Sequence, residues 1–412
     1  MSGIDRRRFL RGAAVLAAGG AATALPLRAV DADPGAAPDS AASTANRAID
    51  FHGQHQAGVL TGRQASAAFV ACDLTTSSRA ELIELLRTLT DRARALTAAA
   101  RPRNLGIAGP PADSGLLGPA PVSDGLTITV GLGASAFDAR FGLAGARPRR
   151  LRPMDTFGND ELDRAQCDGD LLLQICAGST DTVLYALREL ARHTRGAMQL
   201  RWRVDGFVPP LRPSGAARNL MGFKDGIANP DPTDAAAMAA LVWVQPGAGE
   251  PGWATGGSYH VVRTIRMLVE FWDRVGISEQ ERMFGRRKDT GAPLSGSVET
   301  DQPDYSDDPT GAQIPLDSHI RLANPRTAGT DPSRLLRRAY SYDRGLDSNG
   351  NLDMGLIFNC FQQDLDRQFV AVQRRLADEP LVDYIRPTGG GYFFTLPGVR
   401  STTDWYGSGL FG

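Results

Sequence analysis

The sequence predicts an α+β protein whose strands form antiparallel sheets, and three observations support this prediction. Of its 412 residues, 42% are hydrophobic and 22% are charged, which is typical of a globular chain rather than a disordered or fibrous one. Short β-rich runs alternate with segments of helical periodicity. The same order of elements recurs in both halves, and a chain of this length suits two large domains.

In the first half, strands and helices follow the order β-α-β-β-α-β. Ser78-x-x-Glu81 predicts a capping box before apolar residues at helical spacing, and Thr180 can cap a second helix. The strand-like runs lie at 67–74, 126–132, 171–177 and 198–204. In the last of these, apolar and polar residues alternate as in a half-buried strand. This order of elements is the split βαβ, or ferredoxin-like, arrangement.

The second half repeats this order with an insertion. Strand-like runs lie at 259–271, 355–361 and 392–396, with a helical segment at 365–376. Ser278-x-x-Glu281 predicts the start of a short helix that ends near Gly285. A polar stretch rich in Gly and Pro then occupies 286–318. Polar loops of more than about 15 residues inside a compact domain are usually functional, so we expect a site near 286–350.

Residues 1–29 are predicted to be a twin-arginine signal peptide. Arg6 and Arg7 precede an uncharged stretch rich in Ala and Gly, which is too short and too weakly apolar for a transmembrane helix of about 20 residues. An ordinary amphipathic N-terminal helix is the alternative. Residues 30–46 are predicted to be a linker, followed by domains at 47–215 and 216–412. Twin-arginine export carries folded proteins, often with a cofactor inserted, to the periplasm or to the cell envelope and extracellular space.

Composition excludes several classes of function. The net charge is -1, so no overall field attracts nucleic acid or anionic lipid. The only lysines are Lys224 and Lys288, and neither stands in a phosphate-binding loop of the Walker type. The four cysteines form neither CxxC nor CxxCH, which argues against zinc-ribbon, thioredoxin-type and covalent-haem sites. A GxGxxG match occupies the last six residues, where no helix can follow it to bind a dinucleotide.

Three local patterns are candidates for a functional site. His319 stands at the exit of the insertion and is either a ligand or an ordinary surface residue. The segment 222–226, Gly-Phe-Lys-Asp-Gly, places two glycines around an acid, although a plain turn has the same pattern. Arg337 and Arg338 open an alternating aromatic run, which could also be a solvated strand edge.

Together these patterns resemble the dye-decolorising peroxidases. The segments that carry the resemblance are Gly-x-x-Asp-Gly at 222–226, His-Ile-Arg-Leu-Ala-Asn-Pro-Arg at 319–326, Arg-Arg-x-Tyr-Ser-Tyr at 337–342, His-Gln-x-Gly at 55–58, Leu-Thr-Ile-Thr-Val-Gly at 126–131, Glu-Pro-Leu-Val-Asp-Tyr at 379–384 and Gly-Gly-Gly-Tyr-Phe-Phe at 389–394. Within that family, the chain is similar to the exported deferrochelatase/peroxidase subgroup of bacterial iron-uptake systems. The family's two ferredoxin-like domains agree with the pattern of elements above.

The resemblance implies one non-covalently bound haem b per chain, held in the second domain. His319 is then the proximal ligand of the iron, since a neutral imidazole nitrogen is a common axial ligand of haem. Asp225 and Arg337 match the family's distal residues, with Arg338 as the competing candidate for the arginine. A carboxylate can transfer a proton and a guanidinium can stabilise negative charge, so both residue types suit cleavage of the O–O bond of peroxide.

Further contacts are implied by the same resemblance. Segments that touch the macrocycle in relatives match Gly226, Ile227, Ala228, Asn324, Pro325 and Arg326. Arg326 is expected to pair with a propionate. Asp364 is the candidate acceptor for the second N–H of the proximal imidazole. Leu356 and Phe358 form either the apolar distal wall or plain core.

The implied function is that of a haem peroxidase, which reduces hydrogen peroxide and oxidises organic donors such as dyes or porphyrinogens. The resemblance also implies release of iron from haem with the tetrapyrrole intact, in the service of iron uptake. The alternative is a non-enzymatic haem-binding or haem-carrier protein. Expected partners are other components of an iron-uptake system, the twin-arginine translocase and, in a homodimer, a second copy of the chain. No nucleic-acid partner is expected.

Overall fold

The computed structural model describes residues 48–101 and 106–412. The predicted signal peptide at 1–29 and the predicted linker at 30–46 lie outside the described residues. None of the helices within the described residues is both long enough and apolar enough to cross a membrane.

The first ferredoxin-like domain has the predicted order of elements. It consists of β1 (Ser66–Leu74), α1 (Arg79–Thr97), β2 (Thr127–Gly133), β3 (Leu171–Ala177), α2 (Thr180–His193) and β4 (Met198–Phe207). The strands lie in the order β2-β3-β1-β4, and each neighbouring pair is antiparallel. The apolar faces of both helices join one buried cluster with the outer face of this sheet, where Leu86 and Leu190 are fully buried.

The two helices of this domain begin differently. At α1, the Ser78 hydroxyl accepts a hydrogen bond from the backbone N–H of Glu81, and the Glu81 carboxylate accepts one from the Ser78 N–H, so the predicted capping box is present. At α2, Ser179 occupies the N-cap position and Thr180 is already the first helical residue. The prediction for α2 was therefore wrong by one residue.

The second ferredoxin-like domain repeats the strand order of the first. Its strands are β5 (Ser258–Met267), β6 (Leu336–Arg337), β7 (Tyr340–Leu346), β8 (Leu352–Gln362) and β9 (Ile385–Thr395). From Leu336 to Asp343, strands β6 and β7 pair with β8 in one continuous register, so they act as a single strand interrupted at 338–339. The order is β9-β5-β8-β7, again antiparallel throughout.

Short helices connect these strands. They are α3 (Ala235–Leu241), α4 (Val269–Trp272), α5 (Ile277–Phe284), α6 (His319–Ala323) and α7 (Ala371–Arg375), the last preceded by a π-helical turn at Asp366–Val370. The strand predicted at 259–271 ends early because helix α4 follows it. The capping box predicted at Ser278 does not form, because α5 begins at Ile277 and Ser278 already lies inside it. The predicted end of α5 is confirmed, since Gly285 adopts a φ of 81° there.

The strands of the two domains join in one closed sheet. Strand β2 pairs with β9, and β4 pairs with β7. The pairing of β5 with β8 completes the ring of strands. Aromatic residues from both domains are buried together on its inner face, among them Phe69, Trp202, Tyr340 and Phe393. Side chains alternate along a strand, so every second side chain of β5 and β8 points away from this aromatic cluster. These outward-pointing side chains can form a site on the outer face of the sheet.

Polar side chains are buried with these aromatic residues. His260 is only 1% exposed, and its Nε2 is hydrogen-bonded to Asn359 Oδ1. Asn359 in turn donates from Nδ2 to Gln174 Oε1 at 2.9 Å. Burial lowers the pKa of His260 to about 3, so its imidazole is neutral in the folded protein at neutral pH.

His260 should therefore make the protein less stable in acid. Below its ordinary pKa of 6.5, the imidazole binds a proton in the unfolded chain but not in the folded chain. Its contribution to stability is complete above that pH and decreases as the pH falls toward the folded-state pKa, by up to about 1.4 kcal/mol per pH unit. We expect His260→Gln to lose less stability than the wild type between about pH 7 and about pH 4.5 in urea unfolding. Equal losses in the two proteins would contradict this prediction.

Candidate active site

A cavity lies on the outer face of the second domain's sheet. Strands β5 and β8 contribute an apolar wall that includes Ile265, Leu356 and Phe358. Most of the remaining lining comes from helices α5, α6 and α7, from the segment 219–228, and from residues of the regions 286–350 and 369–387, and Asn159 contributes from the first domain. Leu356 and Phe358, for which the sequence left two interpretations open, both face this cavity.

His319 is the first residue of α6 and lines the cavity. Its Nδ1 lies 2.6 Å from Glu379 Oε2, and Glu379 is only 3% exposed. Burial opposes protonation of His319, but the negative charge of Glu379 and its hydrogen bond to the imidazole together outweigh this effect and raise the pKa of His319. Because Nδ1 is engaged by a carboxylate and no described residue hydrogen-bonds Nε2, Nε2 is the nitrogen available to a ligand.

Helix α6 is too short to be stable by itself and is held by neighbouring segments. The Arg321 guanidinium donates to the Asp308 carboxylate at 3.2 Å and to the Ile314 carbonyl at 2.9 Å. From α7, Arg375 Nε donates to the Leu322 carbonyl at 2.9 Å. These contacts fix the backbone that carries His319.

Glu379, and not Asp364, is the carboxylate on His319, so the sequence-based choice of Asp364 was wrong. Asp364 Oδ1 instead lies 2.9 Å from Arg150 Nε and accepts the backbone N–H groups of Asp366 and Arg367. It does not line the cavity. Its carboxylate is occupied by the start of the π-helical turn, a local role that the sequence pattern did not reveal.

The loop that carries Asp225 is sharply turned. Gly222 and Gly226 have φ values of 87° and 98°, which residues with a side chain rarely adopt. A Cβ at Gly222 would also lie 2.7 Å from Lys288 Cε. The path of the loop therefore requires both glycines, and it brings Asp225 to the cavity.

Asp225 and Arg337 meet at the cavity. Arg337 NH1 donates to Asp225 Oδ1 at 3.0 Å, and the two side chains remain 27% and 18% exposed. Arg338 is 4% exposed and donates from NH2 to Gln64 Oε1 at 3.0 Å. Neighbouring residues of an extended chain face opposite sides, so only one of the two arginines can reach the cavity, and it is Arg337.

The only two lysines of the sequence fasten this loop to the insertion. Lys224 forms an ion pair with Glu299 and is largely buried. Lys288 lies 5.7 Å from the centre of the Phe223 ring, and its Nζ donates to Gln280 Oε1 at 2.6 Å.

Arginines supply most of the charge at the cavity. Its lining includes Arg263, Arg286, Arg326, Arg334 and Arg337. Arg326 NH1 donates to Gln302 Oε1 at 3.1 Å, whereas its buried Nε has no hydrogen-bond partner among the described residues. A buried donor without a partner is costly, and a bound anion would satisfy it.

These features fit a haem. The cavity has an apolar wall for the macrocycle, an imidazole nitrogen for the iron and an unpaired guanidinium donor for a propionate. The residues matched to the family's macrocycle contacts mostly line it, namely Gly226, Ile227, Ala228, Asn324 and Arg326. Pro325 does not line the cavity, although its neighbours in sequence do.

Sequence reasoning missed two residues of this site. Glu379 lies within a segment that resembles the family, at 379–384, and that resemblance was the available signal for it. Asn229 follows the Gly-x-x-Asp-Gly motif, and its side chain binds the backbone of Arg337. No periodicity points to either residue, because each acts on a partner that is remote in the chain.

Comparisons with known proteins agree with this geometry. The family model for the N-terminal part of Dyp-type peroxidases matches residues 56–208, and the model for the C-terminal part matches residues 216–400. Deferrochelatase of Escherichia coli (strain K12) is 48% identical over 412 residues, which covers 98% of this chain and 96% of that protein. Deferrochelatase of Yersinia pseudotuberculosis is 46% identical and covers 98% of this chain and 94% of that protein.

Solved structures show the same relationship. Ferric DtpA from Streptomyces lividans superposes with a TM-score of 0.81 at 36% identity and covers 90% of this chain and 99% of that one. A DyP-type peroxidase from Cellulomonas bogoriensis superposes with a TM-score of 0.80 at 38% identity and covers 89% and 99%. The resemblance seen in the sequence is thereby confirmed. The chain belongs to the Dyp-type peroxidase family, and it is a haem peroxidase.

Proposed function

We propose that this protein holds one haem b per chain without a covalent link and uses it to reduce hydrogen peroxide while oxidising dyes or porphyrinogens. The observation that carries the proposal is the Asp225–Arg337 pair on the same cavity as His319. When bound, haem supplies the redox-active iron at which peroxide is reduced. The chain's own residues bind this group, orient it and move the proton of peroxide.

On the proximal side, His319 would hold the iron through Nε2. Glu379 accepts the N–H of Nδ1, which selects the tautomer and makes the imidazole a more basic ligand. Arg326, which lines the cavity, would bind a propionate through its guanidinium. Both contacts are directional, so they fix the macrocycle's orientation as well as its affinity.

On the distal side, the two charged residues have different roles. Asp225 Oδ1 accepts from Arg337, whereas Oδ2 has no hydrogen-bond partner among the described residues and can take the peroxide proton. The same carboxyl can return that proton to the departing oxygen. The Arg337 guanidinium can stabilise the negative charge that develops as the O–O bond breaks.

A haem carrier is the competing function, and the distal pair argues against it. A carrier would need the ligand His319 and the apolar wall but would have no use for a carboxylate and a guanidinium paired on the same cavity. The name deferrochelatase, borne by relatives at 48% identity, motivates an additional proposal. We propose that this chain also releases iron from haem with the tetrapyrrole intact and so supplies an iron-uptake system.

Three measurements on one preparation test these proposals. A haem absorption spectrum that changes on adding one equivalent of peroxide and returns on adding a dye supports the peroxidase. A haem spectrum that peroxide leaves unchanged would favour the carrier. Release of iron to a chelator, together with the fluorescence of metal-free porphyrin, would establish iron release. Loss of porphyrin absorption without that fluorescence would instead show that the ring is destroyed.

We propose export by the twin-arginine route to the periplasm or cell envelope, on the evidence of the N-terminal sequence. Replacing both Arg6 and Arg7 by Lys should leave folded, haem-loaded protein in the cytoplasm, because that route requires the arginine pair. Cell fractionation with haem staining measures this. As a control, Arg11→Lys alters an arginine of the same segment outside the pair and should leave export intact. Normal export of the double variant would show that another route is used.

A further inference from the structure

The segment after the distal aspartate returns to the strand that carries the distal arginine. Asn229 Nδ2 donates to the Arg337 carbonyl at 2.7 Å, and the Arg337 N–H donates to Asn229 Oδ1 at 3.1 Å. Asn229 therefore binds both backbone groups of one residue. Among the described side chains, no other one hydrogen-bonds the backbone of Arg337.

The same side chain is tied to Asp225 through a short loop. The Asn229 N–H donates to the Gly226 carbonyl at 3.3 Å and closes a turn directly after Asp225. On the other side of Asp225, its own N–H donates to the Ala217 carbonyl at 2.9 Å. The loop is thus fixed before Asp225 by the backbone and after it by Asn229.

We propose that Asn229 is a positioning residue that sets the spacing between Asp225 and Arg337. One direct hydrogen bond joins the two charged side chains, and both are partly exposed, so this contact alone is weak. The carboxamide of Asn229 joins the two backbones instead and does not depend on the charges. This inference rests on the proposed peroxidase function of the same cavity.

The side chain at position 229 must donate one hydrogen bond and accept another, and it must be as short as Asn to reach the Arg337 backbone. Ala offers neither group. Asp offers only acceptors when ionised, so that its second oxygen would face the Arg337 carbonyl. A protonated Asp, however, has one O–H donor and one acceptor and can reproduce the contacts of the carboxamide. In the Asn229→Asp variant, the hydrogen bonds between position 229 and the Arg337 backbone should therefore depend on pH.

The test compares Asn229→Ala and Asn229→Asp with the wild type, all loaded with haem. Both variants should retain haem, because Asn229 contacts neither His319 nor Glu379 by any hydrogen bond. In stopped-flow mixing, Asn229→Ala should react with peroxide about 10- to 100-fold more slowly, the scale expected when reacting groups are misplaced by about 1 Å. Asn351→Ala, in the exposed turn between β7 and β8, is the matched control and should react like the wild type.

The pH profile separates positioning from simple loss of packing. The rate of Asn229→Asp, divided by the wild-type rate at each pH, should rise as the pH falls and the introduced carboxyl takes up a proton. Division by the wild-type rate removes the pH dependence that the two proteins share. The other charged groups near this position, Arg286, Asp301, Arg326, Asp331 and Arg334, are the same in both proteins. A ratio that stays constant with pH would contradict the proposal.

Hydrogen–deuterium exchange provides a readout that does not depend on turnover. The Arg337 amide should exchange faster in Asn229→Ala, because Asn229 Oδ1 no longer accepts it. Wild-type peroxide kinetics together with faster exchange would overturn the positioning role, and so would loss of haem. A wild-type protein inert to peroxide would contradict the proposed function instead. The exchange result would then still decide whether Asn229 holds Arg337.

Discussion

His319→Ala is expected to lose most of its haem, and any haem that remains should have an altered absorption spectrum. The imidazole is the only described histidine side chain on the cavity, and Glu379 holds its Nδ1 at 2.6 Å so that Nε2 is free for iron. Removing the ring leaves apolar contacts and arginines, which bind the edges of the macrocycle but supply no axial nitrogen. Haem content after purification and the spectrum measure both effects.

Two further measurements make this prediction specific. His193→Ala removes an exposed imidazole at the end of α2 whose polar contacts are to Glu189 of the same helix, so it should leave haem content unchanged. Adding free imidazole to His319→Ala should restore part of the wild-type spectrum, because the cavity then has room for an exogenous ligand. Full haem content with an unaltered spectrum in His319→Ala would mean that another group ligates the iron.

The distal variants should separate peroxide chemistry from haem binding. Asp225→Asn preserves the size of the side chain but removes the carboxylate that can take a proton, and Arg337→Leu removes the positive charge. Both variants should retain haem, since neither residue ligates the iron. At least one should slow the reaction with peroxide by about 10²-fold or more, the scale of one general acid–base group or one electrostatic donor.

The pH dependence of these two variants identifies the limiting step. If proton transfer limits the rate, Asp225→Asn is the slower variant, and its rate lacks the dependence on carboxyl ionisation that the wild type shows. If stabilisation of charge limits the rate, Arg337→Leu is the slower variant at every pH, because a guanidinium does not titrate in the accessible range. Stopped-flow mixing with peroxide across the pH range distinguishes the two cases.

Matched controls exist for both substitutions. Asp234→Asn alters an exposed aspartate that caps α3, and Arg344→Leu alters an exposed arginine on β7, each with the same change of charge as the distal variant. Both controls should react with peroxide at the wild-type rate. If both distal variants also did so, the cavity would not be a peroxidase site and the haem-carrier function would be the better explanation.

Local patterns predicted the chemistry of the site better than they predicted its contacts. The glycines around Asp225 are a local requirement, because the loop needs two residues with positive φ, and that requirement is visible in the sequence. The carboxylate that binds His319 was expected to be Asp364 and is Glu379. Both acids follow β8 in the chain, and nothing in their immediate neighbours reports which one packs against α6.

The sequence by itself predicted the α+β class and the repeated ferredoxin-like order, and its motifs, through their resemblance to the dye-decolorising peroxidases, implied His319, Asp225 and Arg337 as site residues. These follow from periodicity and motifs, which depend on residues close together in the chain. Only the tertiary structure decided that the two domains close one sheet, that Glu379 rather than Asp364 binds His319, and that Asn229 joins the distal loop to β6. Such contacts depend on which face of a strand is turned to the cavity and on how distant segments pack, and neither is encoded in local spacing.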